Sequence, residues 1–192
     1  MKILVASHNN GKINEFKELL EPRGYTVLSA KDMGISMDDV EETGTTFAEN
    51  ARIKAEFLYK QTGTTAIADD SGLTVVALPD ILGIYSARFM GEDTPYIEKN
   101  KEILTRLEDK ADRSAYFNCA IALVGDNVDE VFEGQIHGTV ADRVMGFGGF
   151  GYDPIFVPNN YEQSFGQLSA DEKNKISHRA LATEAFIKYL EV

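Results

Sequence analysis

Between residues 115 and 140 the chain repeats with a period of two. Ala115, Phe117, Cys119, Ile121 and Leu123 alternate with other residues, Gly125-Asp126-Asn127 makes a turn, and a second run follows over 128–140. Alternation on this scale is the mark of a long β-hairpin, because helical apolar positions recur at three and four instead. The remaining segments must therefore build a sheet around that hairpin. Residues 2–6 (KILVA) read as a buried strand. Residues 12–21 read as a helix with Ile13, Phe16, Leu19 and Leu20 on one face, ended by Pro22-Arg23-Gly24, and 25–29 as a second strand. Thr46-Phe47-Ala48-Glu49 has capping-box form and opens a helix to about residue 61. Strands are expected at 64–68 and 73–78, around Asp69-Asp70-Ser71-Gly72. Thr94-Pro95 has the form of an N-cap followed by a first-turn proline, and Ile97, Leu104 and Leu107 continue that helix. A glycine-rich loop, 146–151, precedes a short strand at 155–157. Ser169-Ala170-Asp171-Glu172 is a second capping-box pattern, with helix filling much of 170–191. Opening βα units followed by a long hairpin predict an α/β protein with a mixed sheet. Its two strand-rich regions allow two lobes with a cleft between them.

The 192 residues suit one domain, or one domain with two lobes, and suffice for a hydrophobic core. No internal repeat or low-complexity segment interrupts them. Lys and Arg number 19 against 31 Asp and Glu, a net charge of −12. That balance argues against a nucleic-acid polymer gripped through its phosphates, yet a few local cations can still hold a small anion. The single cysteine, Cys119, excludes an internal disulfide framework and a Cys-rich zinc site, and is expected in a strand core. His8, His137 and His178 show no zinc-ligand spacing. No apolar run approaches the roughly 18 residues of a membrane span, and MKILVAS is too short for a signal peptide. A soluble, cytoplasmic protein is the expectation.

Four segments have chemical potential. Ser7-His8-Asn9-Asn10-Gly11-Lys12 lies between strand and helix, where backbone N–H groups and a lysine suit an anion. It lacks the Walker A pattern, with Ala6 and Ile13 at the diagnostic positions, and equally fits a polar turn with a solvated lysine. The acids Glu41-Glu42 and Asp69-Asp70 offer oxygens for Mg²⁺ and a base for water, while Asp69-Asp70-Ser71-Gly72 also has the composition of a plain turn. Gly146-Phe147-Gly148-Gly149-Phe150-Gly151-Tyr152-Asp153-Pro154 combines close backbone approach with stacking faces for a planar ligand, or supplies aromatics to the core. In Glu172 through Arg179, Ser177 can cap a helix opened by His178 and Arg179, which offers donors to a carbonyl or phosphate; surface or packing roles fit these residues too.

In this order the segments resemble the inosine triphosphate pyrophosphatase family. The matching stretches are Ser7–Lys12; Glu41-Glu42-Thr43-Gly44 with Thr46-Phe47 and Glu49-Asn50-Ala51; Ala68-Asp69-Asp70-Ser71-Gly72-Leu73; Tyr85-Ser86-Ala87-Arg88; Gly149–Pro154; and Glu172-Lys173-Asn174 through Ser177-His178-Arg179. The resemblance implies a two-lobed α/β fold with a long mixed sheet and the active site in the inter-lobe cleft. It implies a cytoplasmic, usually homodimeric enzyme that uses Mg²⁺ to hydrolyse ITP, dITP and XTP to the monophosphate and pyrophosphate. Carried over by position, Ser7, His8, Asn9, Asn10, Gly11 and Lys12 would cradle the phosphates. Glu42 and Asp70 would hold Mg²⁺, with Asp70 also the general base. Asp69 and Glu41 would be auxiliary carboxylates, and Ser71 would contact substrate. Phe150, Gly151, Tyr152 and Asp153 would wall the base pocket, and Lys173, His178 and Arg179 would reach the base edge. Lys54 and Arg88 are further basic candidates. One stretch departs from the family's Gly-Gly and Pro-Gly steps: Leu78-Pro79-Asp80-Ile81-Leu82-Gly83. The rival readings are a Maf-type pyrophosphatase for other nucleotides, which Ser177-His178-Arg179 disfavours, and a non-catalytic nucleotide-binding module, which has no need of a water-activating carboxylate.

Overall fold

The structure, a computed structural model, describes residues 2–191. The elements run β1 (Lys2–Val5), α1 (Asn10–Leu20), β2 (Thr26–Ser29), α2 (Phe47–Thr62), β3 (Ala66–Val75), α3 (Tyr96–Arg106), β4 (Ser114–Gly125), β5 (Val128–Val140), β6 (Phe156–Pro158), α4 (Ala170–Ile176) and α5 (His178–Leu190). Six strands form one sheet in the order β2-β1-β3-β4-β5-β6. β1 pairs in parallel with β2 and β3, whereas β5 and β6 are antiparallel, so the sheet is mixed. The α/β class expected from the sequence is the one observed.

The chain divides into two compact units. The first holds the residues up to Asp70, Cys119–Gly134 and those from His178 onward. Its strands are buried on both faces, and the period of two sorts their side chains. Ile3, Val5, Ile67, Cys119, Ile121 and Leu123 join Phe16 and Leu20 of α1 and Ala182, Phe186 and Ile187 of α5 in one core. Leu4, Ala6, Ala66, Ala68, Ala122 and Val124 face the other way, against Ala51, Ala55 and Leu58 of α2. The apolar run KILVA is thus the signature of a central strand with helices on both sides. Cys119 is buried as expected, and burial pushes its thiol up to about 12. The folded protein should not react with a thiol-specific reagent at about pH 8. A reagent titration should find one thiol only after denaturation.

The second unit, Ser71–Asn118 and Gln135–Ser177, packs Leu73, Leu82, Phe89, Ile103, Phe117, Phe156 and Phe165 into its own core. The atypical stretch before Tyr85 is anchored there: Leu82 is buried and Leu78 and Ile81 pack beside it. Apolar side chains fix this loop.

Three local expectations shift. α3 begins at Tyr96, with Pro95 in the capping position, one residue later than the Thr94-Pro95 pattern suggests. The helix expected to fill much of 170–191 is interrupted at Ser177, in extended backbone (ψ 157°), and resumes at His178, the start that the capping reading of Ser177 offered. Most consequentially, Asp69-Asp70-Ser71-Gly72 is not a turn between two strands but the middle of one strand, β3. Turn composition loses here because the acids are neutralised by partners, described below. Gly72 tolerates no side chain, since a Cβ there would lie 2.2 Å from the Gly83 carbonyl oxygen.

Candidate active site

Adjacent residues of a strand point to opposite faces, and β3 uses this to give its two acids different surroundings. Asp69 follows Ile67 toward α1 and α5; Asp70 follows Ala68 toward α2. Both are buried, at 2% and 7% exposure.

On the first face Arg179, 1% exposed at the start of α5, donates to Asp69 Oδ2 from Nη2 at 2.8 Å and from Nε at 3.3 Å. Its Nη1 donates to Glu15 of α1, and its guanidinium lies 6.0 Å from the Phe16 ring centroid. Lys12 Nζ reaches the same Asp69 oxygen at 3.1 Å. Burial alone would raise the Asp69 pKa, but Lys12 and Arg179 outweigh it and hold the carboxyl far below the usual range. Asp69 is therefore a permanent anion that fixes two cations. Its second oxygen, Oδ1, is buried with no hydrogen-bond partner.

On the other face Asn50 of α2 donates from Nδ2 to Asp70 Oδ2 at 3.2 Å, while its own Oδ1 accepts from Gly44 N at 2.8 Å. Lys54, one turn on, places Nζ 3.5 Å from Asp70 Oδ1 and 3.2 Å from Glu42 Oε2. Burial opposes the charge of Lys54, yet Asp70, Glu42 and Asp69 together raise its pKa. Asp70 behaves oppositely to its neighbour: burial raises its pKa, against the pull of Lys54 and Lys12. Thr46 caps α2 by accepting from Glu49 N, and Glu49 reaches back to Thr45 N, so the segment carrying Glu42 runs into a fixed helix start.

The loop before α1 is ordered by its own polar side chains. Asn9 caps the helix, its Oδ1 accepting from Lys12 N at 3.1 Å, and Ser7 Oγ accepts from Asn9 N at 3.1 Å. His8 Nε2 lies 2.7 Å from Ile35 O, and Asn10 Oδ1 accepts from Lys31 Nζ at 2.7 Å. His8, Asn9 and Asn10 are exposed and Ser7, Gly11 and Lys12 half-buried. An accessible helix N-terminus with a lysine in its first turn suits an anion. All six expected residues thus lie on the β1–α1 connection, and Lys12 joins it to Asp69.

In the second unit the glycine loop is pinned by Asp153, which is buried at 3% exposure. Its Oδ2 accepts from Phe150 N at 2.8 Å and from Lys173 Nζ at 2.6 Å. A Cβ on Gly149 (φ +67°) would lie 2.1 Å from that same oxygen, so this glycine is required. Lys173 Nζ lies 4.9 Å from the Phe150 ring centroid and 5.5 Å from that of Phe165, two aromatic faces that favour its charge. Phe150 and Gly151 are half-buried, Tyr152 is buried, and Phe147 is wholly exposed. Ser71 is half-buried where β3 enters this unit, and His178 is buried at 4% exposure at the start of α5 in the first. Arg88 is exposed, 5.3 Å from the Tyr85 ring centroid. Glu41 is exposed, in contrast to Glu42.

Glu42 and Asp70 converge on one ammonium, which shows that their oxygens define a place for positive charge. Among the described residues no three His, Cys, Asp or Glu side chains are grouped to cage a metal alone. This donor set fits Mg²⁺, which takes one or two carboxylates and completes its octahedron with phosphate oxygens and water.

Sequence reasoning missed Glu15 and underrated Asn50. Both stand on apolar helix faces, Glu15 beside Phe16 and Asn50 beside Ala51, and Asn50 lies four residues before Lys54. A polar side chain on a buried face needs a buried partner. That signal was in the sequence, although the partner's identity was not.

Residues 3–189 match the model of the Ham1 family. The chain is 45% identical to the dITP/XTP pyrophosphatase of Bacillus licheniformis, over 99% of this chain and 98% of that one. It is 44% identical to the dITP/XTP pyrophosphatase of Bacillus subtilis, over 98% and 96%. Among solved structures, the Staphylococcus aureus Ham1 protein superposes with a TM-score of 0.85 at 41% identity, covering 100% of this chain and 98% of that one. A HAM1 protein from Coxiella burnetii gives 0.87 at 40% identity, again covering 100% and 98%. The match runs through sequence and fold alike and spans both faces of β3: this chain belongs to the Ham1 family.

Proposed function

We propose that the chain hydrolyses non-canonical purine nucleoside triphosphates, ITP, dITP and XTP, to the monophosphate and pyrophosphate. The observation that carries this reading is the pair of acids in β3. A permanently ionised Asp69 holds Lys12 at the phosphate loop, while Asp70, raised by burial, stands beside Lys54 and Glu42. In a Ham1 family member whose relatives bear the name dITP/XTP pyrophosphatase, that is an anion cradle next to a base.

The β1–α1 loop binds phosphate oxygens through its N–H groups, and Lys12 neutralises their charge. Asp70 takes the proton from a water as its oxygen attacks the α-phosphorus; the bond to the bridging α–β oxygen breaks and pyrophosphate leaves. A carboxylate whose pKa burial raises is a stronger base than an ordinary one. Glu42 and Asp70 would hold Mg²⁺, which when bound supplies positive charge to the departing pyrophosphate. Asn50 keeps Asp70 oriented, and Ser71 contacts the substrate. Phe150, Gly151, Tyr152 and Asp153 form the purine-binding segment. Lys173 and His178 donate to the 6-oxo group of hypoxanthine or xanthine, where adenine presents an amino donor instead. Arg179 acts through Asp69 and Glu15, to which its guanidinium is bound. We place the protein in the cytoplasm, with the nucleotide pool, as a homodimer.

A triphosphate panel with Mg²⁺ and product identification tests this. ITP and XTP should give monophosphate and pyrophosphate, with kcat/KM for ATP lower by at least ~100-fold. Inorganic phosphate and a diphosphate would mean that another bond is attacked. Comparable turnover of ATP and GTP would remove the selectivity.

A further inference from the structure

Lys99 of α3 is fully buried, at 0% exposure, and Glu92 supports its charge from a distance without a salt bridge among the described residues. A buried ammonium without a salt-bridge partner is expensive and needs compensation from its surroundings. Here Nζ donates to Ala87 O at 2.6 Å and lies 4.8 Å from the Tyr96 ring centroid. The same helix grips a second segment. Asn100, the next residue and 3% exposed, donates from Nδ2 to Gly151 O at 3.2 Å. Tyr96 meets Tyr152 edge to face, with centroids 5.1 Å apart and planes at 87°. The circuit closes through Tyr152, whose hydroxyl donates to Ser86 O, the carbonyl next to the one Lys99 holds. Three sequence-remote pieces, α3, the Ser86-Ala87 turn and the Gly151-Tyr152 step, are thus joined pairwise within the second unit.

We propose that Lys99 is a positioning residue for purine selection: with Asn100 it fixes the Gly151-Tyr152 step against the Ser86-Ala87 turn and so determines which base is accepted, not how fast water attacks. The proposal rests on the assignment of residues 150–153 to the purine. It explains why a charge is retained where a leucine or methionine would fill the space. One ammonium holds a carbonyl oxygen and lies over an aromatic face, which no aliphatic side chain does. Lys99 touches none of the residues assigned to phosphate, metal or water.

Lys99→Met should raise KM for ITP about tenfold while kcat changes by less than about twofold, and pyrophosphate should remain the product. The ratio of kcat/KM for ITP over GTP should fall about tenfold as well. Amide exchange over 146–155 should quicken by at least about threefold, reporting release of the loop. A merely structural lysine would lower Tm and leave KM, selectivity and loop exchange where they were. The proposal is overturned if folded Lys99→Met keeps KM and the ITP:GTP ratio within about twofold of the parent, or if kcat alone falls. Should Lys99→Met not fold, Asn100→Ala, which loses only the bond to Gly151, carries the same expectations and decides the matter. If the parent does not convert ITP to monophosphate and pyrophosphate, the reading of the site fails and the proposal with it. If the parent does so and both variants keep their KM, only the positioning role is lost.

Discussion

Replacing Asp70 by asparagine should cut pyrophosphate release from ITP by roughly 10²–10⁴-fold, the range in which a positioned general base operates. The fold should survive. Asparagine is isosteric, its carbonyl can still accept from Asn50, and Lys54 keeps Glu42 as an ionic partner. The carboxylate being removed is one whose charge burial disfavours, so its loss relieves desolvation as well as costing an ion pair. We expect a Tm within about 5 °C of the parent, a shift of about 1–2 kcal/mol for a chain of this size. The decisive comparison is single-turnover hydrolysis against thermal melting of the same preparation. Near-normal hydrolysis would eliminate Asp70 as the base. A collapsed Tm would show that Asp70 is a structural anion like its neighbour.

Arg179→Met should do the reverse, with its largest effect on stability. The side chain is nearly isosteric in its stem, but the variant removes the guanidinium from Glu15 and leaves Lys12 as the salt bridge to Asp69. Breaking a buried ion pair from one side typically costs about 3–5 kcal/mol. The cost should depend on pH in a definite direction. Asp69 has a folded pKa below its unfolded value of about 3.9. Its contribution is therefore complete above that value and disappears only as pH falls through the folded one. Without Arg179 the carboxyl protonates more easily. The stability gap between parent and variant should thus be full from about pH 7 down to about pH 4 and narrow only as the solution is acidified further. Urea unfolding at several pH values measures it. A gap that is constant with pH would mean that Arg179 acts by packing on Phe16 rather than by charge.

Much of this was legible in the chain. The alternation at 115–123 and the apolar KILVA run declare β4 and the central strand β1, because successive strand residues face opposite sides and a strand covered on both sides is apolar throughout. Thr46 and Ser169 announce their helices through capping chemistry that is local by nature. β3 was harder to read. Asp-Asp-Ser-Gly is turn composition, and only Lys12, Asn50, Lys54 and Arg179, distant in sequence, make it affordable inside a strand. Arg179 shows the same limit. Its place in a motif identified it as important, but its work as a buried clamp between α1 and β3 depends on Glu15, which no motif marked. Lys99 carried no signal at all, being one of two lysines on a polar helix until the fold buried it.

The opposite orientation of Asp69 and Asp70 has a consequence for the life of the molecule. A slip of β3 by one position would put one aspartate in the other's place and leave either Ala68 opposite Arg179 and Lys12 or Ser71 opposite Asn50 and Lys54. Such a molecule would lose its buried charge balance or its proposed base. A correctly folded but chemically empty form is therefore hard to populate, and misregistered chains fall to the unfolded pool where proteases act. The strand that carries the proposed base thus also tests its own assembly.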